Sequence, residues 1–363
     1  MLKLAAKFFV TITALFCLVS AIAFSSIKIS TLSFIINDPS RTDSLLYVMS
    51  MENQSLKKIL PEGYERSFGR DALELFTNIN LRNMRSFLIS EIPGLNAATP
   101  KIIVAGKGTD FTNLPIESPP PSDLDMWGDE EEPGQETPNE RPKTEDHVVF
   151  IYSTHNTESF LPMLPGVTDP SRAWHKDKNI SLVGKRLGEK LKEKGIKTLV
   201  NQTDIQGLLK SKGMNYGQSY QVSREIAQEV MNQNSQVQFY FDIHRDSSRR
   251  AVTTTEIKGK DYAKTLFVIG EGHPQYEKNS KFATDLHHAI QKKYPGLSRG
   301  VFGKPRAGGN DGIYNQDLAE NALLIEIGGV DNTLEELNRT ADALAEVISE
   351  YYWKNSDSLE AQK

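Results

Sequence analysis

The rhythm of apolar and polar positions changes several times along the chain. After Lys3 and Lys7, residues Phe8 to Phe24 carry no charge, and the next charged residue is Lys28. An apolar run of about 20 residues is long enough to cross a bilayer as a helix. Residues 1–36 are therefore expected to form a single-pass transmembrane anchor and its flank, with the cationic end inside. Ala21-Ile22-Ala23 also has the small-x-small pattern at which a signal peptide is cleaved. Either reading puts the remaining chain outside the cytoplasm.

Residues 37–111 space Leu45, Leu46, Val48 and Met49, then Leu73, Leu75, Phe76, Leu81, Met84 and Leu88, as amphipathic helices do. They predict a helical membrane-proximal region. Residues 112–146 lose that pattern. Seven prolines from Pro115 to Pro142 and the acidic run Asp129-Glu130-Glu131-Glu132 leave too little apolar surface to offset chain entropy. That composition predicts a disordered spacer.

From 147 to 355 strands and helices alternate. Strands are expected at His147–Tyr152, Ile196–Val200, Val237–Ile243, Val252–Ile257, Thr265–Ile269 and Ala322–Ile327, and helices at 179–194, 218–233, 275–293 and 333–352. Such alternation predicts an α/β layered domain on a mostly parallel mixed sheet, with the adjacent pair at 252–269 adding antiparallel content. Residues 356–363 form a tail.

Composition narrows the chemistry. The formal net charge is -5, and no strongly basic segment stands out, which argues against nucleic-acid capture. The single cysteine, Cys17, lies in the apolar run. A disulfide framework and a cysteine-rich metal site are both excluded, so any metal site must use His, Asp or Glu.

Ligand sites in open α/β sheets form beyond the carboxyl ends of strands. Three expected strands end in polar clusters: Ser153-Thr154-His155-Asn156-Thr157-Glu158-Ser159, Asp242-Ile243-His244-Arg245-Asp246, and Glu326 with Ile327-Gly328-Gly329. His155 and Glu158, three residues apart on a turn, can converge on one point, and His244 can complete the set. Two imidazoles and a carboxylate leave the fourth position of a catalytic zinc open to water. Asp177 is an alternative carboxylate ligand or a helix cap. Glu326 sits in an apolar run, where partial desolvation should raise its pKa and suit it to general base and acid work. The competing reading is a salt-bridged strand-end glutamate paired with Arg245 or Arg299. Arg245 and Asp246 can pair to orient the His244 loop. The glycine-rich loop with Asn310 to Asn315 can line a cleft, and Trp174, Tyr216 and Tyr220 can present surfaces to sugar or peptide. His287 and His288, adjacent in a helix, are expected to be structural.

These motifs together resemble the stage II sporulation protein P family over roughly 147–353. The resemblance is carried by Ile151-Tyr152-Ser153-Thr154-His155-Asn156-Thr157-Glu158-Ser159-Phe160-Leu161-Pro162, Asp242-Ile243-His244-Arg245-Asp246, Tyr294-Pro295-Gly296-Leu297-Ser298-Arg299-Gly300, Tyr314-Asn315-Gln316 and Glu326-Ile327-Gly328-Gly329-Val330-Asp331-Asn332-Thr333. It implies a three-layer zinc amidase-like domain that cleaves the N-acetylmuramoyl-L-alanine amide of peptidoglycan and also stem-peptide crosslinks, during engulfment. It implies Zn2+ held by His155 and His244, Glu326 as the catalytic glutamate, and work in a membrane complex with the sporulation stage II proteins D and M in the septal space between mother cell and forespore. Glu158 is favoured over Asp177 as the carboxylate ligand. Arg245, Arg299 and Asn315 are candidate substrate-binding residues.

Two other readings use the same residues. A zinc metallocarboxypeptidase also pairs H-x-x-E with a later His and Glu, and needs a cation such as Arg299 or Arg306 for a free substrate carboxylate. A membrane scaffold without catalysis would bind wall or partner proteins through residues 38–92.

Overall fold

Period-two alternation on strands buried on both faces organises the domain. In the computed structural model, residues 100–115, 119–121, 147–307 and 310–360 are described, and they lie in one compact unit, Ala97–Lys363. Seven strands form the main sheet: β1 (Lys101–Ala105), β2 (Val149–Tyr152), β3 (Thr198–Val200), β4 (Phe239–Asp246), β7 (Thr265–Gly270), β8 (Ser298–Lys304) and β9 (Ala322–Gly329), in the order β1-β8-β7-β9-β4-β2-β3. Strands β3, β2, β4 and β9 run parallel. β7 turns antiparallel against β9, β8 runs parallel to β7, and β1 closes that end antiparallel to β8. The sheet is thus mixed and mostly parallel, as the alternation of elements predicts.

Val149 and Ile151 of β2, Phe239, Phe241 and Ile243 of β4, and Leu323, Ile325 and Ile327 of β9 enter one core. On that side lie α1 (Ser181–Glu193), α5 (Tyr276–Lys293) and α6 (Leu334–Glu360), with Val183, Leu187, Phe282, Leu286, Leu344 and Val347 facing the sheet. The intervening Phe150, Tyr152 and Tyr240 face the other way, against Ala227 and Val230 of α3 (Ser219–Gln233). Helix α2 (Ile205–Ser211) packs with α3 through Leu209 and Val222. Helices on both faces make three layers.

Local chemistry explains several of these placements. A Cβ at Gly188 would lie 2.2 Å from Val200 Cγ2, so glycine there lets α1 settle closely over the sheet. Helix α6 opens with a capping box: the Thr333 hydroxyl accepts from Glu336 N at 3.3 Å and the Glu336 carboxylate accepts from Thr333 N at 3.0 Å.

The structure departs from the sequence expectation in several places, and helix α6 also runs to Glu360, into the expected tail 356–363. Lys101–Ala105, expected within the helical region 37–111, is a strand of the main sheet. The turn that follows runs into the segment expected as spacer: Pro115 is buried and the Asn113 carbonyl accepts from Arg299. Strand β8 was not expected. The expected strand at 252–257 begins as a helical turn, α4 (Arg250–Thr253), before β5 (Thr254–Ile257). β5 pairs antiparallel with β6 (Lys260–Ala263) in a separate two-stranded ribbon, and β7 joins the main sheet instead. The anchor at 1–36, most of the region 37–111 and most of the spacer lie outside the described residues. Among the described residues, no helix is long and apolar enough to cross a membrane.

Candidate metal centre

The parity that sorts the cores also gathers the site. Tyr240, Asp242, His244 and Asp246 alternate on β4, and Glu326 on β9 stands in register beside His244. His155 and Glu158 come from the turn after β2, where Glu158 N donates to His155 O at 3.0 Å. An isolated antiparallel bridge to Trp174 holds Glu158 from its other side. The turn sits at the carboxyl end of β2 and His244 toward the carboxyl end of the neighbouring β4, so adjacent parallel strands deliver both histidines to one place.

His155, Glu158 and His244 are all buried, and they bring ligand-type atoms within 4.8 Å of one another. His155 Nδ1 lies 3.6 Å from Glu158 Oε1, and His244 Nδ1 lies 3.8 Å from Glu158 Oε2. Both separations are too long for hydrogen bonds, and His155 Nδ1 has no hydrogen-bond partner although it is buried. Buried polar atoms are nearly always satisfied, so an unsatisfied one calls for an explanation. Two imidazoles and a carboxylate converging in this way fit a zinc ion. Asp177 is exposed and stands outside this cluster. The geometry brings Glu158 to the two histidines and leaves Asp177 apart.

Charge in the site is strongly perturbed. Burial pushes Glu326 up to about 8, with the negative charges of Asp246 and Glu158 adding to the effect and His244 and Lys304 opposing it. Its Oε2 is buried without a hydrogen bond. Burial also works to raise Glu158, but the neighbouring His155, His244 and Arg245 outweigh it and hold this carboxyl below its ordinary value. Burial works against a charged His244, yet the carboxylates of Asp242, Glu158 and Glu326 raise it to about 10.

Aromatic rings enclose the histidines. Tyr216 stacks on His155 with centroids 4.5 Å apart, and Trp174 meets Tyr216 edge-on at 5.8 Å. Tyr220 lies parallel to His244 at 6.2 Å.

The other candidate residues are engaged inside the protein. Arg245 is buried; its backbone N donates to Glu158 Oε2 at 2.8 Å, its guanidinium donates to Ala173 O at 3.1 Å and lies 5.4 Å from the centre of the Trp174 ring. Arg299, not Arg245, forms the ion pair with Asp246, and it also donates to Asn113 O. Asn315 is buried with its amide donating to Tyr220 O and Ser223 Oγ. Tyr314 and Asn315 both adopt left-handed backbone, at φ 55 and 56. Two consecutive non-glycine residues in that region carry strain, which tends to collect near functional sites. His287 hydrogen-bonds Ser298 Oγ at 2.8 Å and His288 is exposed, so neither joins the cluster.

Asp242 is the residue that sequence reasoning passed over. It was visible as part of Asp242-Ile243-His244, and strand alternation puts its carboxylate on the same face as His244.

A sequence model of the family described as stage II sporulation protein P matches residues 82–349. Among curated proteins, the chain is 46% identical over 325 residues to stage II sporulation protein P of Bacillus subtilis (strain 168), covering 86% of this chain and 80% of that one. Among solved structures, the CwlD amidase from Clostridioides difficile, in complex with the GerS lipoprotein, overlays with a TM-score of 0.35 and 14% identity. That overlay covers 57% of this chain and 98% of the other; a score this low carries no inference to this chain.

Proposed function

Because the chain belongs to the stage II sporulation protein P family, we propose that it is a zinc-dependent peptidoglycan hydrolase acting during sporulation. Its reaction is cleavage of the N-acetylmuramoyl-L-alanine amide, together with stem-peptide crosslinks, during engulfment. The observation that carries this reading is the convergence of His155, Glu158 and His244 at the ends of adjacent parallel strands, with Glu326 in register beside His244.

His155, Glu158 and His244 would hold the zinc. When bound, zinc polarises the scissile carbonyl and acidifies a water. Glu326 takes the proton from the attacking water and returns it to the departing amine nitrogen. A carboxyl pushed up to about 8 by burial is matched to that two-way transfer near neutral pH. The Tyr216 ring against His155, with Trp174 at its edge, offers an apolar wall for a substrate approaching the centre.

The carboxypeptidase reading needs an available cation. Arg299 is buried and committed to Asp246 and Asn113 O, which leaves exposed Arg306. The proposed setting is the sporulation septum, with the domain outside the cytoplasm, anchored through the N-terminal segment and working with the stage II proteins D and M.

The test is digestion of purified sacculi, with mass analysis of products and metal content of the protein. Intact stem peptides with a free alanine amino end support the amidase reading. Stepwise loss of single terminal amino acids would replace it with the carboxypeptidase one. Wild-type activity in His155→Ala, His244→Ala and Glu326→Gln would remove the assignment altogether.

A further inference from the structure

We propose that Asp242 is a positioning residue that decides which nitrogen His244 presents to the metal and ties the His155 turn to the same imidazole; this rests on the metal-centre reading above. His244 Nε2 lies 3.0 Å from Asp242 Oδ1, a charged contact that does not reach hydrogen-bond alignment. Its other nitrogen, Nδ1, faces Glu158 at 3.8 Å. A metal binds only a neutral imidazole, and an ionised carboxylate only accepts, so His244 holding a metal beside Asp242 would keep its one proton on Nε2 and give the Nδ1 lone pair to the metal. Metal-bound histidines are oriented in this way by an outer carboxylate.

The same carboxylate holds the other ligand's turn. Asp242 Oδ1 accepts from Thr154 N at 2.8 Å, and Oδ2 accepts from the Thr154 hydroxyl at 2.5 Å. Thr154 is the residue immediately before His155. One fully buried side chain on β4 therefore fixes the ring of one ligand and the backbone that carries the other. Ser223 Oγ of α3 lies 2.8 Å from Thr154 Oγ1 and accepts from Asn315 Nδ2 at 3.0 Å. The network thus reaches the strained Tyr314-Asn315 segment. A substrate-binding role is not needed to account for Asn315.

The test is zinc affinity of the full chain, measured by chelator competition with zinc alone, for wild type, Asp242→Asn and Thr154→Val. Asp242→Asn keeps the size of the side chain and an oxygen for Thr154 N, but loses the charge that orders His244. Outer-carboxylate losses typically cost roughly 10- to 100-fold in metal affinity, and that loss is expected in Asp242→Asn while its metal-free form still melts cooperatively. Thr154→Val should weaken zinc binding by less. Unchanged affinity in folded Asp242→Asn overturns the proposal. A second readout needs no variant: cadmium NMR on nitrogen-labelled wild type should show coupling to His244 Nδ1 and a proton on Nε2. Coupling to Nε2 overturns it. Wild-type protein that binds neither zinc nor cadmium overturns the metal-centre reading itself, a result distinct from the other two.

Discussion

At the scale of single residues, the domain holds two buried titratable side chains whose burial points to opposite uses. Glu326 is held without a hydrogen bond on Oε2, among other carboxylates, in a place that resists its ionisation. Glu326→Gln should lower turnover on sacculi by roughly 10²- to 10⁴-fold, the usual worth of a general acid–base group, while zinc content stays at the wild-type level. Parallel loss of zinc would show that Glu326 supports the metal and not proton transfer. His287, by contrast, lies on the buried face of α5 against Ser298, and burial with the His288 charge pushes it down to about 4. Its folded pKa lies below its unfolded one, so its contribution is intact above the unfolded value of about 6.5. As pH falls toward about 4, the unfolded chain takes up a proton that the folded chain refuses, and that stability is lost. Melting temperatures measured from neutral to acidic pH should fall less steeply in His287→Gln than in wild type over this window; parallel curves would refute the assignment.

At the scale of elements, two substitutions on one helix face separate close packing from propensity. Gly188→Ala places a methyl 2.2 Å from Val200 Cγ2, whereas at Gly184 the nearest atom, Ile151 Cγ2, is 3.3 Å away. Overpacking of this kind typically costs about 1–3 kcal/mol, so urea denaturation should show Gly188→Ala clearly destabilised. Gly184→Ala should change much less, because the helix-propensity gain of about 1 kcal/mol works against a milder clash. Which elements could be read from the sequence follows from how each one buries its surface. Strands β2, β4, β7 and β9 are buried on both faces, and each contains an apolar run (Val149–Tyr152, Phe239–Phe241, Leu266–Ile269 and Ala322–Ile325) that stands out. Ser298–Lys304 reads as Ser-Arg-Gly-Val-Phe-Gly-Lys, and it is a fully buried strand only because β1 and β7 flank it and Arg299 finds Asp246. Nothing local in that heptad announces a strand. β1 is hidden for a related reason: its partner lies about 200 residues downstream, with Lys101 opposite Gly303. The two histidines and two glutamates of the candidate centre were legible because each ends or follows a strong strand. Asp242 was not singled out because its role depends on Thr154, 88 positions away.

At the scale of the molecule, the folding unit begins earlier than the strand–helix alternation implies. β1 covers the outer edge of β8, and the turn behind it supplies the Asn113 carbonyl to buried Arg299. A fragment starting at residue 147 would expose that edge and leave Arg299 with one partner fewer. Exposed sheet edges template association, and breaking part of a buried charge network destabilises it. Fragment 147–363 should therefore melt lower and self-associate more than fragment 97–363, as read by thermal denaturation and sedimentation. Equal behaviour would show that β1 is dispensable.

The arrangement of the centre on alternate strand positions also limits how the gene can vary. Exchanging one side chain for another leaves the remaining residues where they were. Adding or deleting a single codon between Phe239 and Ile243 turns every residue downstream in that strand to the opposite side, sending His244 into the apolar layer beneath α1 and Ile243 into the centre. The same holds for Glu326 within Ala322–Gly329. Length changes compatible with activity are therefore confined to the connections between strands, and a scan of single-residue insertions should trace the outlines of β4 and β9 as sharply as any substitution scan traces the candidate ligands.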